Sequence, residues 1–290
     1  MNLPANIQKS VSKYETIKMG ELNLYPIKVE SYDEFLIAKS ALEVMHQSLP
    51  VALLRVPLLS AFYQMDYEAG KSGKPMTGLF SRALLGLALS LRLGEGNGIA
   101  ERMRAFQVIV ERDNPAKLVR LQFSDNDGKE LTIEPSQYKE LRQIIAAQNG
   151  VRLEDDTANP DIVKARKDMS AGGAKLDFSI DAIISFAAAV FGVEESEIYQ
   201  WPILKLTRRT DAYQTMLAYL VCGIGEASGA SWKNGNPVPH PIFHRIDDGS
   251  GLASPMKSGA NGKPSAQVNT NVQAIEAQLS SSNNNQPIIH

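Results

Sequence analysis

Apolar positions in this chain fall into two distinct patterns. Leu79–Leu93 (LFSRALLGLALSLRL) carries ten apolar residues in fifteen, and Phe178–Phe191 (FSIDAIISFAAAVF) carries eleven in fourteen. An ordinary surface helix has one apolar stripe, so a helix apolar on every side must be covered on every side, by its own core or by another chain. The period elsewhere is that of ordinary amphipathic helices and short strands.

The elements follow from that patterning and from its punctuation. Residues 1–20 are polar and read as loose. Leu22–Val29 predicts a short strand placed at a sheet edge by Pro26. Ser31 with Glu34 three residues on reads as a capping box, opening a helix over Tyr32–Met45. Pro50 and Pro57 punctuate, and helices are expected over about 57–69 and 77–93. After the glycine-rich break at 94–98 come three β-rich segments, Arg104–Arg112, Leu118–Ser124 and Glu130–Glu134. Turns at Asn114-Pro115 and Asp125-Asn126-Asp127-Gly128 join them into an antiparallel meander over about 104–134. Pro135 then opens a helix that Asn149-Gly150 closes.

Residues 151–175 form a charged, glycine-containing linker, and a helical domain is expected over 176–246. In it Gly192 and Pro202 act as breaks, Glu194–Tyr199 is a short helix, and a longer amphipathic helix runs from about Ile203 to Cys222. From Asp247 to the end, 20 of 44 residues are Gly, Ser, Asn or Pro, a composition expected to remain a disordered tail, with Val268–Leu279 folding on binding. The predicted fold class is α+β: mainly helical, with a small antiparallel meander in a domain over 1–150 and a C-terminal helical unit.

At 290 residues the chain can bury a full core. A net charge of −2 and a pI near 6.1 remove the electrostatic reason to expect nucleic acid or an anionic membrane as partner. Cys222 stands alone, excluding a disulfide framework or a thiolate metal cluster. The N-terminal residues lack the apolar run of a secretory signal, and the apolar helices fall short of the ~20 residues that span a bilayer. A soluble, intracellular protein is expected.

Catalytic and ligand motifs do not assemble. Gly94–Gly98 follows a helix, whereas a nucleotide fingerprint follows a strand. Reading Asp125–Gly128 as a calcium loop would put Phe123 at the first ligand position, where it offers no oxygen. His240 and His244 are four apart, but Pro237, Pro239 and Pro241 forbid the helix that would aim both at a metal. No serine lies in a nucleophile elbow, and His46 reads as a helix C-cap. Ile180–Thr210 folds on paper into a helix-turn-helix, yet its second helix opens Glu194-Glu195-Ser196-Glu197, which repels phosphates. No catalytic residue, metal or cofactor is therefore assigned.

Several short segments together resemble the tail-assembly chaperones of tailed bacteriophages and prophages, particularly the longer versions from Gram-positive hosts. They are Leu24-Tyr25-Pro26-Ile27-Lys28 with Tyr32 and Phe35, then Leu141, Ile144, Ile145, Gln148 and Asn149. Ile198-Tyr199, Lys205, Arg209 and Tyr213 follow, and then Trp232, Lys233 and His240 to His244. The resemblance spans about 22–245. It implies a non-enzymatic protein that binds the apolar helices of the tape-measure protein in the host cytoplasm before the tail tube polymerises. An extension by ribosomal frameshifting would suit a tail such as 247–290.

The physics agrees with that role. Each Leu or Phe left in water forfeits ~1.5–3 kcal/mol, so surplus apolar helix is costly unless a partner covers it. The residues expected to meet a partner are Leu84, Leu87 and Leu91 of the first apolar helix and the aromatics Tyr199, Trp201, Trp232 and Phe243. A homo-oligomer is left open. The competing functions are a structural tail or baseplate component retained in the virion, and a helix-turn-helix DNA-binding regulator.

Overall fold

A computed structural model describes residues 3–96, 98–154, 161, 163, 179–228, 230–231 and 288–289. The architecture is α+β, helices predominating over small antiparallel sheets. The chain divides into two units, the first made of Met1–Ala165 and Asp177–Thr207, the second of Arg166–Leu176 and Arg208–His290.

The first unit opens with α1 (Ala5–Ser12), followed by the hairpin of β1 (Ile17–Met19) and β2 (Leu22–Leu24), paired Ile17 to Leu24. The expectation that residues 1–20 are loose is thereby corrected. Val11, Ile17, Leu22 and Leu24 are too sparse to set a period, yet all four are buried in one core. Helices α2 (Tyr32–Leu42), α3 (Leu58–Lys71) and α4 (Leu79–Leu91) follow. Ser31 makes no side-chain cap at α2. Glu34, its expected partner, instead pairs with Arg102 on α5 (Ile99–Arg104), so a long-range charge overrides a local capping box.

Helix α4 is the centre of the unit. It packs against α2, α3, α5 and α6 (Tyr138–Gln148), and every residue from Ala83 to Leu91 is buried. Helix α2 packs on α4 at Gly86, where an added Cβ would sit in ordinary contact 3.6 Å from that of Ala38. Asp66 of α3 fixes the start of α4, its carboxylate accepting from Thr77 Oγ1 at 2.7 Å and from the backbone N–H groups of Gly78 at 3.0 Å and Phe80 at 3.1 Å. At the other end the chain turns through Arg92 and Gly94, both left-handed. A Cβ on Gly94 would lie 3.3 Å from the Arg102 Cα, so the turn into α5 needs glycine on both counts. The strand expected from Arg104 is thus preceded by a short helix and begins at Gln107.

The meander is β3 (Gln107–Val110), β4 (Leu118–Ser124) and β5 (Glu130–Ile133), antiparallel in that order. Its second turn closes as predicted, Asp125 Oδ1 accepting from the N–H groups of Asp127 and Lys129. Leu121, Phe123, Leu131 and Ile133 face the core, alternating with exposed neighbours.

Two polar side chains at the end of α6 hold the β2 segment. Asn149 Oδ1 accepts from Ile27 N at 3.0 Å, and Gln148 Nε2 donates to Leu24 O at 3.1 Å. Helices α7 (Ile180–Phe191) and α8 (Glu195–Tyr199) belong to this same unit, which differs from the expected break at 151–175. Ile184, Ala187, Ile198 and Trp201 are in the same core as Leu24, and Val29 N donates to Trp201 O while Ile203 N donates to Ile27 O, both at 2.9 Å. Backbone pairing between Ile27–Val29 and Trp201–Ile203 cannot be read from a linker's composition.

In the second unit, the chain from Arg208 continues as the helix α9 (Ile203–Ala227). Two short strands, β6 (Ala230–Ser231) and β7 (Ile288–Ile289), pair antiparallel. Most of the connector 151–175 (all but 151–154, 161 and 163), the His240–His244 segment and nearly all of the tail lie outside the described residues.

Candidate functional site

The two apolar helices that framed the question have opposite fates. Leu84, Leu87 and Leu91, expected to meet a partner, are 6%, 0% and 7% exposed. That expectation is corrected: α4 is buried from Ala83 to Leu91 among α2, α3, α5, α6 and β2, and no partner reaches these leucines while the fold is intact. Helix α7 is only half enclosed. Ile184 and Ala187 are buried, while Phe186 and Ala189 stand at the surface.

Of the aromatics, Trp201 is also core. Its indole packs on Phe191, with centroids 6.2 Å apart, and donates to Glu197 Oε1 at 3.2 Å, while Lys205 Nζ sits 4.1 Å above the ring. Tyr199 is exposed. Trp232 and Phe243 lie outside the described residues, as do His240 and His244.

Polar groups converge at one place in the first unit, where the Pro26–Ser31 segment meets the end of α4 and α5. Lys28 Nζ lies 3.3 Å from Glu30 and 3.8 Å from Glu95 and donates to Gln200 Oε1 at 2.8 Å. Arg92 stacks on Tyr25 at 4.3 Å. Arg102 Nε stands 3.0 Å from Glu34 Oε2, off the line of a hydrogen bond, and Arg102 Nη1 donates to Leu93 O at 3.2 Å. Lys28, Arg92 and Arg102 with Glu30 and Glu95 line a space of about 20 Å³, room for roughly one water, and Glu34 pairs with Arg102 beside it. The charges are mutually compensated, so the cluster fastens the fold and leaves no net charge to receive a ligand. An open groove of about 340 Å³ between α1 and α6 is lined by Leu3, Ile7, Lys139, Glu140 and Gln143 without converging polar atoms. Among the described residues no group of three or more His, Cys, Asp or Glu is placed to hold a metal.

The helix-turn-helix geometry also differs from that of a DNA reader. Helix α8 has five residues, buries Ile198, and exposes Glu194, Glu195 and Glu197, with Ser185 Oγ donating to Glu195 Oε1. Its outward surface is acidic.

The second unit holds the surface that sequence reasoning missed. Along α9 no residue from 211 to 225 is buried. Met216, Leu217, Leu220, Val221 and Ile224 are 40%, 39%, 49%, 67% and 67% exposed. Their positions, i, i+1, i+4, i+5 and i+8, lie on one side of a helix. From Ala212 to Gly225 the sequence has no charged residue. The signal was present in the amphipathic spacing of Ile203–Cys222, but the denser apolar runs outranked it, and the densest of them is core. No helix among the described residues is long and apolar enough to cross a membrane. No protein-family model, curated protein or solved structure matches the chain.

Proposed function

We propose that this protein is a non-enzymatic assembly chaperone of the tailed-phage kind, which covers apolar helices of the tape-measure protein in the host cytoplasm before the tail tube polymerises. One observation carries the reading: the uncharged helical stretch Ala212–Gly225 of α9, with Met216, Leu217, Leu220, Val221 and Ile224 exposed on one side. A side chain of that kind costs ~1.5–3 kcal/mol to leave in water, and the cost is recovered when a second apolar helix lies along it. Without charge the stretch selects partners by apolar spacing, which suits a long client with many similar helices. The compensated charges of the Lys28–Arg102 cluster support a binding role over a catalytic one.

The test is calorimetric titration of the full chain with a helical fragment of a tape-measure protein. Stoichiometric binding is expected, weakened at least about 100-fold by Leu217→Asp with Val221→Asp, since each substitution removes a buried contact and introduces a charge. Absence of binding, or equal binding by the double variant, would overturn the proposal. Abundant recovery of the protein in purified virions would assign it a structural place in the tail instead.

A further inference from the structure

We infer that Asn149-Gly150, at the end of α6, is a latent deamidation site. The fold holds it unreactive, and its reaction, once a copy has opened there, unlatches α6 from the β2 segment irreversibly. The inference is independent of any client.

The reactive pair is set by covalent chemistry. In an Asn-Gly sequence the glycine nitrogen attacks the asparagine Cγ, because glycine has no side chain to obstruct the approach. The nitrogen's proton passes to solvent, the Cγ–N bond breaks and ammonia leaves, closing a five-membered succinimide ring. Water then opens the ring. Attack at Cγ gives aspartate, whereas attack at the main-chain carbonyl carbon gives isoaspartate, with the backbone rerouted through Cβ. One water enters, one ammonia departs, and neither an enzyme nor an oxidant is needed.

The fold withholds this step. Asn149 is 4% exposed, and both ends of its amide are engaged, Oδ1 accepting from Ile27 N at 3.0 Å and Nδ2 donating to Ile145 O at 2.7 Å. A ψ of 13° turns the Gly150 nitrogen nearly over the Asn149 nitrogen, away from the Cβ that carries Cγ. The Gly150 N–H donates to Ala147 O at 3.3 Å, which engages the nucleophile's own proton. Ring closure therefore requires that the amide be released, ψ rotated and this turn undone. That is a local opening at the end of α6.

The same contacts make the products incompatible with the native arrangement. Aspartate at 149 would set a carboxylate oxygen where Nδ2 stands, facing the Ile145 carbonyl with no proton between them, and would bury a charge. Isoaspartate lengthens the main chain by one carbon where there is no slack. Gly150 turns there at φ +74°, with a Cβ position only 3.2 Å from Leu204 Cδ1, and Val151 N donates to Ala146 O at 2.8 Å. Ile27 is the node that is lost: its N–H goes to Asn149, and its carbonyl accepts from Ile203 N. One chemical change thus loosens α6, the β2 segment and the start of α9 together.

The experiment is peptide mapping by mass spectrometry on the full chain, held in mildly alkaline buffer with and without denaturing urea. In urea Asn149 should deamidate at the rate of Asn234-Gly235 and Asn261-Gly262 in the same sample. In buffer its reaction should be at least about 100-fold slower than in urea. Gln148→Ala removes the neighbouring donor to Glu15 O and Leu24 O but keeps the Asn-Gly pair, and should speed the reaction in buffer about tenfold. A urea series on the native chain reads the same opening without a variant, since the rate should climb before the main unfolding transition. Asn149→Asp, the aspartate product made directly, should unfold at lower urea than the parent or fail to fold. Three results would each overturn the inference: reaction in buffer as fast as in urea, a rate unmoved by both Gln148→Ala and low urea, or an Asn149→Asp chain as stable as the parent.

Discussion

Single residues carry much of the specificity of the first unit, and two of them act against intuition. Asp66 is an acid buried in a helix, yet it satisfies two backbone donors and a hydroxyl at the entry to α4. Asp66→Ala should cost about 2 kcal/mol in urea unfolding, the scale of a lost N-terminal cap plus stranded donors. Tyr138 is the reverse case. Its ring is fully buried, edge-on to Phe62, and its hydroxyl has no hydrogen-bond partner. Burial pushes its pKa far above the ordinary 10.0, with the Arg142 guanidinium opposing in part. Below pH 10 both folded and unfolded states hold the proton, so the contribution to stability is constant. Above pH 10 only the unfolded chain releases it, so stability falls as pH rises. Tyr138→Phe should therefore raise stability by about 1 kcal/mol at neutral pH and remove part of the alkaline loss, both measurable by denaturation at pH 7 to 11. Neither role was legible in the sequence, because Asp66 caps a helix twelve residues on and the surroundings of Tyr138 come from other helices.

At the scale of elements, composition predicted existence better than environment. The three strands, the hairpin turn at Asp125–Gly128 and helices α2, α3, α4, α6, α7 and α9 stand within a few residues of their expected places. Period and turn chemistry are local, so they survive folding. Helices α1 and α5 were missed, since each is short and gains its order from contacts with α6 and α4. The choice between core and partner for the apolar helices was not local at all. Leu87→Ala should cost about 2–5 kcal/mol, as expected for a fully buried leucine. Thermal unfolding checks this, and client binding measured well below the new transition should be unaffected.

On the scale of the whole molecule, α7 and α8 join the N-terminal residues in one core through Val29, Trp201, Ile27 and Ile203. The apolar excess inferred from Leu79–Leu93 is therefore spent internally. The exposed surplus is found on α9, within a unit whose helix from Asp211 to Gly225 buries nothing of its own. That redistribution moves the proposed docking surface from Leu84, Leu87 and Leu91 to Leu217, Leu220 and Ile224, and it is why the titration is directed at α9.

Most of the helices and strands and the turns between them were legible in the chain, because each depends on neighbours a few positions apart. Which apolar helix is enclosed, which acid caps and which pairs, and where the surface remains greasy depended on segments more than a hundred residues apart meeting in one core. Burial is a property of that meeting, and no stretch of residues carries it alone.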